Sequence, residues 1–253
     1  GDSAIRQSTI KRPAEQLDWM LGQGVSVSMY MFHGGTNFWY MNGANTAGGY
    51  RPQPTSYDYD APLGEWGNCY PKYYAFREVI QKHLPHGTVL PEVPADNPTT
   101  TFATIELKES APLQAAFHQT TESENVLSME DLGVDFGYIH YQTTINKAGK
   151  QKLIIQDLRD YAVILVDGKQ VASLDRRYNQ NNVMLDIQKA PATLEILVEN
   201  TGRVNYGPDI LFNRKGITNQ VLCGDEKLTG WSITPLPLYK EKVSEMNFGE
   251  SIQ

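Results

Sequence analysis

The chain reads as two fold classes in succession: a parallel α/β piece, then an all-β domain. Three observations predict this. Helical periodicity brackets one short apolar strand within the first 84 residues. A stretch holding Pro85, Pro91, Pro94 and Pro98 follows, with little periodicity of any kind. Beyond it come short runs in which apolar and polar residues alternate, separated by turn residues. The expected organisation is residues 1–84 as the α/β portion, 85–98 as linker, 99–240 as a β-sandwich, and 241–253 as a tail or the start of a further linker.

In the first portion, Pro13, Leu17, Met20 and Leu21 fall on one helical stripe. Pro13 suits a first turn, and Gly24 a C-terminal stop. Val25–Phe32 is predicted as a strand with two faces: Val25, Val27, Met29 and Met31 on one, Ser26, Ser28, Tyr30 and Phe32 on the other. A second helix is predicted from Pro71 to about His83, with Tyr73, Phe76, Ile80 and Leu84 as its buried stripe. Glu78 and Lys82 are spaced as an i,i+4 pair. Helix, strand, loop and helix make one and a half units of a parallel α/β fold. In a TIM (β/α)8 barrel the Val/Met face would turn toward the helices and Ser26, Ser28 and Tyr30 inward, with Tyr30 near the C-terminal mouth, where catalytic groups gather. One strand cannot close a barrel. The partner expected for it is an N-terminal barrel segment, in the same polypeptide or in a second chain.

In the second portion, strands are predicted at Phe102–Leu107, Gly137–Ile145, Lys152–Gln156, Tyr161–Val166, Gln170–Leu174, Val183–Ile187, Thr193–Val198 and Trp231–Pro235. Asp167-Gly168 between two of them is a strong hairpin signal. This regular spacing indicates an antiparallel β-sandwich or jelly roll.

Composition narrows the function classes. A net charge of −7 over 253 residues, with no Lys/Arg run, argues against a nucleic-acid partner. No apolar stretch is long enough for a membrane span. The 5 histidines and 2 cysteines lack metal-ligand spacing, so no metal site and no cofactor are expected. Cys69 and Cys223 read as two unrelated thiols rather than a disulfide. There is no Asn-x-Ser/Thr sequon, because Asn97 precedes Pro98. That favours a secreted or periplasmic bacterial setting over a lysosomal one.

The segment from Val25 to Leu63 concentrates Tyr, Asn, Gly and Asp around one apolar strand. Flat aromatics suit the apolar face of a sugar ring, and amides and carboxylates suit its hydroxyls. Asp58 and Asp60, two residues apart on an extended segment, would lie about 6.5–7 Å apart. Taken alone they could be an inverting carboxylate pair. Asp beside Tyr and Pro in a loop more often accepts backbone hydrogen bonds. On that reading Asp58 positions Tyr59, and Asp60 anchors the loop. Asn37 could bind sugar or brace the loop, and the brace is the stronger reading. Gly34 and Gly35 lack the spacing of a phosphate loop and suit a sharp turn. Arg203, Asn205 and Tyr206 form a polar cluster in the β portion, read as packing rather than as a lectin site.

The phrases STIK (Ser8–Lys11), MYMFHGGTNF (Met29–Phe38), NGAN (Asn42–Asn45), QPTSYDYDAPL (Gln53–Leu63) and KYYAFREVI (Lys72–Ile80) occur in order. They resemble the end of the catalytic barrel of glycoside hydrolase family 35, the β-galactosidases. GYIHYQTTI (Gly137–Ile145), RDYAVILVDGK (Arg159–Lys169) and LVENTGRVNYG (Leu197–Gly207) resemble the first β-domain after that barrel. The resemblance implies the terminal portion of a TIM barrel followed by a jelly-roll, galactose-binding-like domain. It implies removal of terminal, non-reducing β-D-galactose with retention of configuration. Retention uses two carboxyl groups about 5–5.5 Å apart. In the family both are glutamates on earlier barrel strands, and no counterpart of either motif occurs between Gly1 and Gln253. No catalytic residue is therefore assigned, and the chain alone is expected to be inactive. What carries over is substrate binding by Tyr59, the second tyrosine of TSYDYD, with Tyr30 as a further wall of the galactoside pocket. The alternative is a non-catalytic carbohydrate-binding or structural β-sandwich module.

Overall fold

The computed structural model describes residues 9–250, so Ser8 of the first motif and residues 251–253 of the expected tail lie outside the described residues. The chain divides into two compact units. The first comprises residues up to Phe38 together with Gln53–Thr104. The second comprises Trp39–Pro52 and everything from Ile105 onward. Each has its own architecture.

The first unit is built on two helices, α1 (Lys11–Gly22) and α2 (Pro71–His83). Leu17 is the buried member of the α1 stripe, and Pro13, Met20 and Leu21 are half-buried beside it. Gly24 takes φ +71°, a left-handed stop that glycine adopts without strain. Pro71 opens α2, where its missing N–H costs nothing. Lys82 does not serve Glu78 as the i,i+4 spacing suggests. Its ammonium reaches Asp18 on α1 at 2.7 Å, and His83 reaches the same carboxylate at 2.5 Å. A charge near a helix end takes the best carboxylate available, and tertiary proximity supplied a better one.

Val25–Phe32 corrects the expected strand. The alternation survives: Val27, Met29 and Met31 are half-buried, and Ser26, Ser28, Tyr30 and Phe32 are exposed. The ladder does not form. A strand exists only where its N–H and C=O groups find a neighbour. Among the described residues, the pairing near this segment is a single parallel bridge from His33 to Leu63.

The second unit is mostly β. Its larger sheet is antiparallel, with strands in the order Thr121–Ser123, Trp231–Leu236, Tyr138–Ile145, Ala192–Glu199, Tyr161–Val166 and Lys169–Asp175. The smaller runs Asn182–Ile187, Gly149–Ile155, Val221–Cys223 and Glu226–Lys227. Along Ala192–Glu199 every second residue is buried, the signature of a strand with one face on a core. One apolar cluster draws from both sheets. Ile139, Ile164 and Ile196 come from the larger, and Leu153, Leu185 and Val221 from the smaller. The hairpin at Asp167-Gly168 forms as its sequence demands. Val166 pairs with Lys169 across a two-residue loop whose φ values, +49° and +75°, are both left-handed.

Phe102–Leu107 is a second correction. It forms no strand, and Phe102, Ile105 and Leu107 stand 77%, 75% and 88% exposed. β-propensity without a partner edge does not make a sheet. Nearer the end, Gly249–Glu250 pairs with Glu109–Ser110. Cys69 and Cys223 are both free thiols.

The largest departure from contiguous domains is the excursion Trp39–Pro52, which groups with the second unit. Its strand Gly43–Asn45 pairs in parallel with Arg203–Tyr206, and Ala44, Tyr50 and Val204 form a small buried cluster. Arg203 is spent on structure. It donates to Asp135 and Asn213 carbonyls and pairs with Glu130 at 2.7 Å.

Candidate functional site

The site candidate lies in the first unit, on the turn Tyr57–Asp60. The turn needs support because Tyr59 and Asp60 both have left-handed backbone, φ +61° and +53°, which L-residues adopt at a cost. That support comes from the start of α2. Asp58 is buried, and its two carboxylate oxygens are used. Oδ1 accepts the Asp60 N–H at 3.0 Å, and Oδ2 accepts the Tyr70 hydroxyl at 2.9 Å. That hydrogen bond to Asp58, reinforced by burial, pushes the Tyr70 hydroxyl up from its ordinary range. Asp60 receives the Lys72 ammonium on both its carbonyl, at 2.5 Å, and its carboxylate, at 2.7 Å. Lys72 is buried on α2, where an unpaired charge would be costly, so the pair locks the turn to the helix. With both carboxylates occupied this way, Asp58 and Asp60 stand in the structure as braces of the turn.

The other side of the turn is held by a short neck. The Asn37 N–H donates to the Thr55 carbonyl at 2.7 Å and its side-chain amide to Pro54 at 2.9 Å. Thr36 and Ser56 form an antiparallel bridge, and the Tyr57 N–H donates to Gly35 at 3.0 Å. Gly34 is required by close approach. A Cβ there would sit 1.7 Å from the Tyr57 carbonyl oxygen. Gly35 takes φ +76°.

Three tyrosines meet on this frame. Tyr59 is 62% exposed and Tyr30 82% exposed. Tyr57 lies between them in chemistry. Its ring centroid is 5.3 Å from that of Tyr59, and its hydroxyl is hydrogen-bonded to Tyr30. Burial, reinforced by that bond, pushes the Tyr57 hydroxyl up to about 12, so it stays protonated at neutral pH. Tyr30 and Tyr59 border a cavity of about 520 Å³ that also touches Leu17, Met29, Lys72 and Phe76. The arrangement offers flat ring faces and hydroxyl groups, the groups that orient a polyhydroxylated ligand. It offers no free carboxylate pair for acid/base work among Asp58 and Asp60. Among the described residues no group of three or more His, Cys, Asp or Glu side chains is placed to hold a metal, and no helix is long and apolar enough to cross a membrane.

The structure thus brings Tyr30, Tyr59, Asp58 and Asp60 into one neighbourhood and puts Asn37 in the neck beneath it. Sequence reasoning passed over Tyr57, Tyr70 and Lys72. Lys72 carried a signal: it falls four residues before Phe76, on the stripe predicted to be buried, where a lysine demands a partner.

Two family models match separate stretches of the chain. Residues 2–83 match glycosyl hydrolases family 35, and residues 126–237 match the first all-beta domain of beta-galactosidase. A beta-galactosidase of Xanthomonas manihotis is 41% identical over 232 residues, covering 90% of this chain and 38% of that protein. The Mus musculus beta-galactosidase is 40% identical over 249 residues, covering 92% of this chain and 36% of that protein. The human beta-galactosidase is 38% identical over 243 residues, covering 90% and 34%. The chain therefore spans little more than a third of the length of these relatives. With the Tyr57–Asp60 turn in one matched block and the two-sheet core in the other, both parts of the chain are similar to the beta-galactosidases of glycosyl hydrolases family 35.

Proposed function

We propose that this chain supplies one wall of the galactose pocket of a retaining exo-β-galactosidase, together with its accessory β-domain. The observation that carries the reading is the cluster of exposed Tyr30 and Tyr59 with half-buried Tyr57, on a strained turn braced from both sides. Strain held this firmly marks a surface that must keep one shape. Tyr59 is read as the hydroxyl contact to the sugar and Tyr30 as the flanking face, with Asp58, Asp60 and Asn37 holding the turn. The segment 9–38 and 53–83 is read as the end of a TIM barrel, and the two-sheet domain as a jelly roll. Both catalytic glutamates are assigned to polypeptide outside these 253 residues, which must therefore act with a further barrel segment, in the same chain or a partner. The substrate is a terminal, non-reducing β-D-galactoside. The residues here bind and orient it; bond cleavage belongs to the carboxyl pair.

The test is hydrolysis of a chromogenic β-galactoside. The isolated 253-residue chain is expected to show none, and the full-length natural protein to show robust turnover. Robust activity in the isolated chain would overturn the assignment of the carboxyl pair elsewhere. Saturable galactose binding to the isolated chain that survives Tyr59→Ala would move the reading to a sugar-binding module.

A further inference from the structure

We infer that Lys72 is a positioning residue of the galactose pocket: it holds Asp60 in left-handed backbone and thereby aims Tyr59. The inference rests on the galactose-pocket reading of the Tyr57–Asp60 turn, and every group in it belongs to the first unit. Nothing in α2 itself calls for a lysine at this position. Lys72 is the second residue of the helix, where the positive end of the helix dipole opposes a cation. It is also buried, with 11% of its side chain exposed, so its ammonium gives up hydration. Lys82, in the last turn of the same helix, has 64% of its side chain exposed and sits where the dipole favours it. A lysine opposed by both its helix and its burial finds its reason in its partner.

The partner is a residue in need of support. Asp60 has φ +53°, a conformation that a residue with a Cβ adopts at a cost, and Tyr59 before it has φ +61°. Lys72 binds Asp60 twice, donating to its carbonyl at 2.5 Å and to its carboxylate at 2.7 Å. One acceptor is on the backbone and the other on the side chain of the same residue. A single ammonium therefore meets both only at one combination of ψ and χ1. On the other flank the Asp60 N–H donates to Asp58 Oδ1 at 3.0 Å. The peptide groups before and after Asp60 are both held, and the direction in which Tyr59 leaves the chain is held with them. Tyr59 is 62% exposed, so its aim comes from its backbone more than from packing around its ring.

This task separates Lys72 from an ordinary stabilising ion pair. If the lysine holds left-handed backbone, a residue at position 60 that takes that backbone freely makes the lysine dispensable. Glycine is such a residue. Alanine is not: it loses the carboxylate as glycine does but keeps the Cβ. A contact made equally in ground state and transition state is lost from KM and spares kcat.

The experiment uses the full-length natural protein and steady-state kinetics on a chromogenic β-galactoside. Lys72→Met removes the ammonium; KM is expected to rise about 5-fold, as for loss of the Tyr59 hydroxyl itself, with kcat within about 2-fold. Adding Asp60→Gly to Lys72→Met is expected to return KM to within about 2-fold of the wild type, whereas adding Asp60→Ala is expected to leave it raised. If Lys72→Met does not fold, Asp60→Gly and Asp60→Ala alone carry the same contrast, with the higher KM expected for alanine. Lys82→Met, on the same helix, is expected to keep the wild-type KM. An unchanged KM in Lys72→Met, equal KM values for glycine and alanine at position 60, or an equal rise in Lys82→Met overturns the inference. Tyr59→Phe, run in parallel, separates the two failures. If it raises KM while Lys72→Met does not, only the positioning role falls. If it leaves KM unchanged, the pocket reading itself fails.

Discussion

Replacing Gly34 with alanine tests the site through backbone geometry alone. The new Cβ would lie 1.7 Å from the Tyr57 carbonyl oxygen and 2.9 Å from that of Asp58, whereas ordinary contact begins near 3.4 Å. Relief therefore requires the 57–58 backbone to withdraw by 3.4 − 1.7 = 1.7 Å along that contact. No flexible side chain can yield instead, because the atoms met are backbone. Tyr59 follows directly, and Asp58 must let go of either Tyr70 or the Asp60 N–H. A misplacement of about 1 Å at a reacting centre can cost on the order of 100-fold in rate. The expected loss in kcat/KM for β-galactoside hydrolysis by the full-length protein is thus about 100-fold, or about 2.7 kcal/mol. Gly22→Ala is the control: its Cβ would meet only the His83 ring, at 3.6 Å, and it is expected to leave kcat/KM unchanged. Retention of more than half of kcat/KM by a folded Gly34→Ala protein would refute the claim that this turn faces the substrate.

Other expectations are accessible to simple assays. Tyr59→Phe removes one hydroxyl contact and is expected to raise KM about 5-fold, with little change in melting temperature. Lys215→Met leaves the buried Asp160 with Arg176, Tyr50 and Thr201 but without its ammonium; a cost of about 2–4 kcal/mol is expected, read as a drop on the order of 10 °C in thermal unfolding. Asp131 is held below the ordinary carboxylate range, first by the Ser128 backbone N–H and also by Arg214. A carboxylate with a depressed folded-state value stabilises above its unfolded value, near 3.9, and that contribution fades as pH falls through the folded one. The melting-temperature gap between wild type and Asp131→Asn is therefore expected to be full at pH 6 and to close in acid below about pH 4; a gap independent of pH would contradict this.

How much of the fold was legible depended on how much of its cause was local. Pro71 and the stripe through Phe76 and Ile80 bound α2 because both signals lie within the helix. Ala192–Glu199 and the Asp167-Gly168 hairpin were legible for the same reason. The short strands Thr121–Ser123 and Val221–Cys223 have too few residues to display a period, and only their neighbours create them. Val25–Phe32 and Phe102–Leu107 show the converse: strand composition is local, but a ladder is not. At the site, aromatic density and the family resemblance pointed to Tyr30 and Tyr59. Tyr57 and Tyr70 were hidden because their roles arise only once the turn folds back onto the neck and α2.

The excursion Trp39–Pro52 is the clearest case of a non-local cause. Its neighbours in sequence, Asn37 and Thr55, hold one another across the neck, so nothing local sends the intervening residues elsewhere. Their destination is set by Lys215, 165 residues from Tyr50, and by glycines at 202 and 207 that leave room for a backbone to lie close. Forming such distant contacts carries a loop-closure cost, and burying an ion pair carries a desolvation cost.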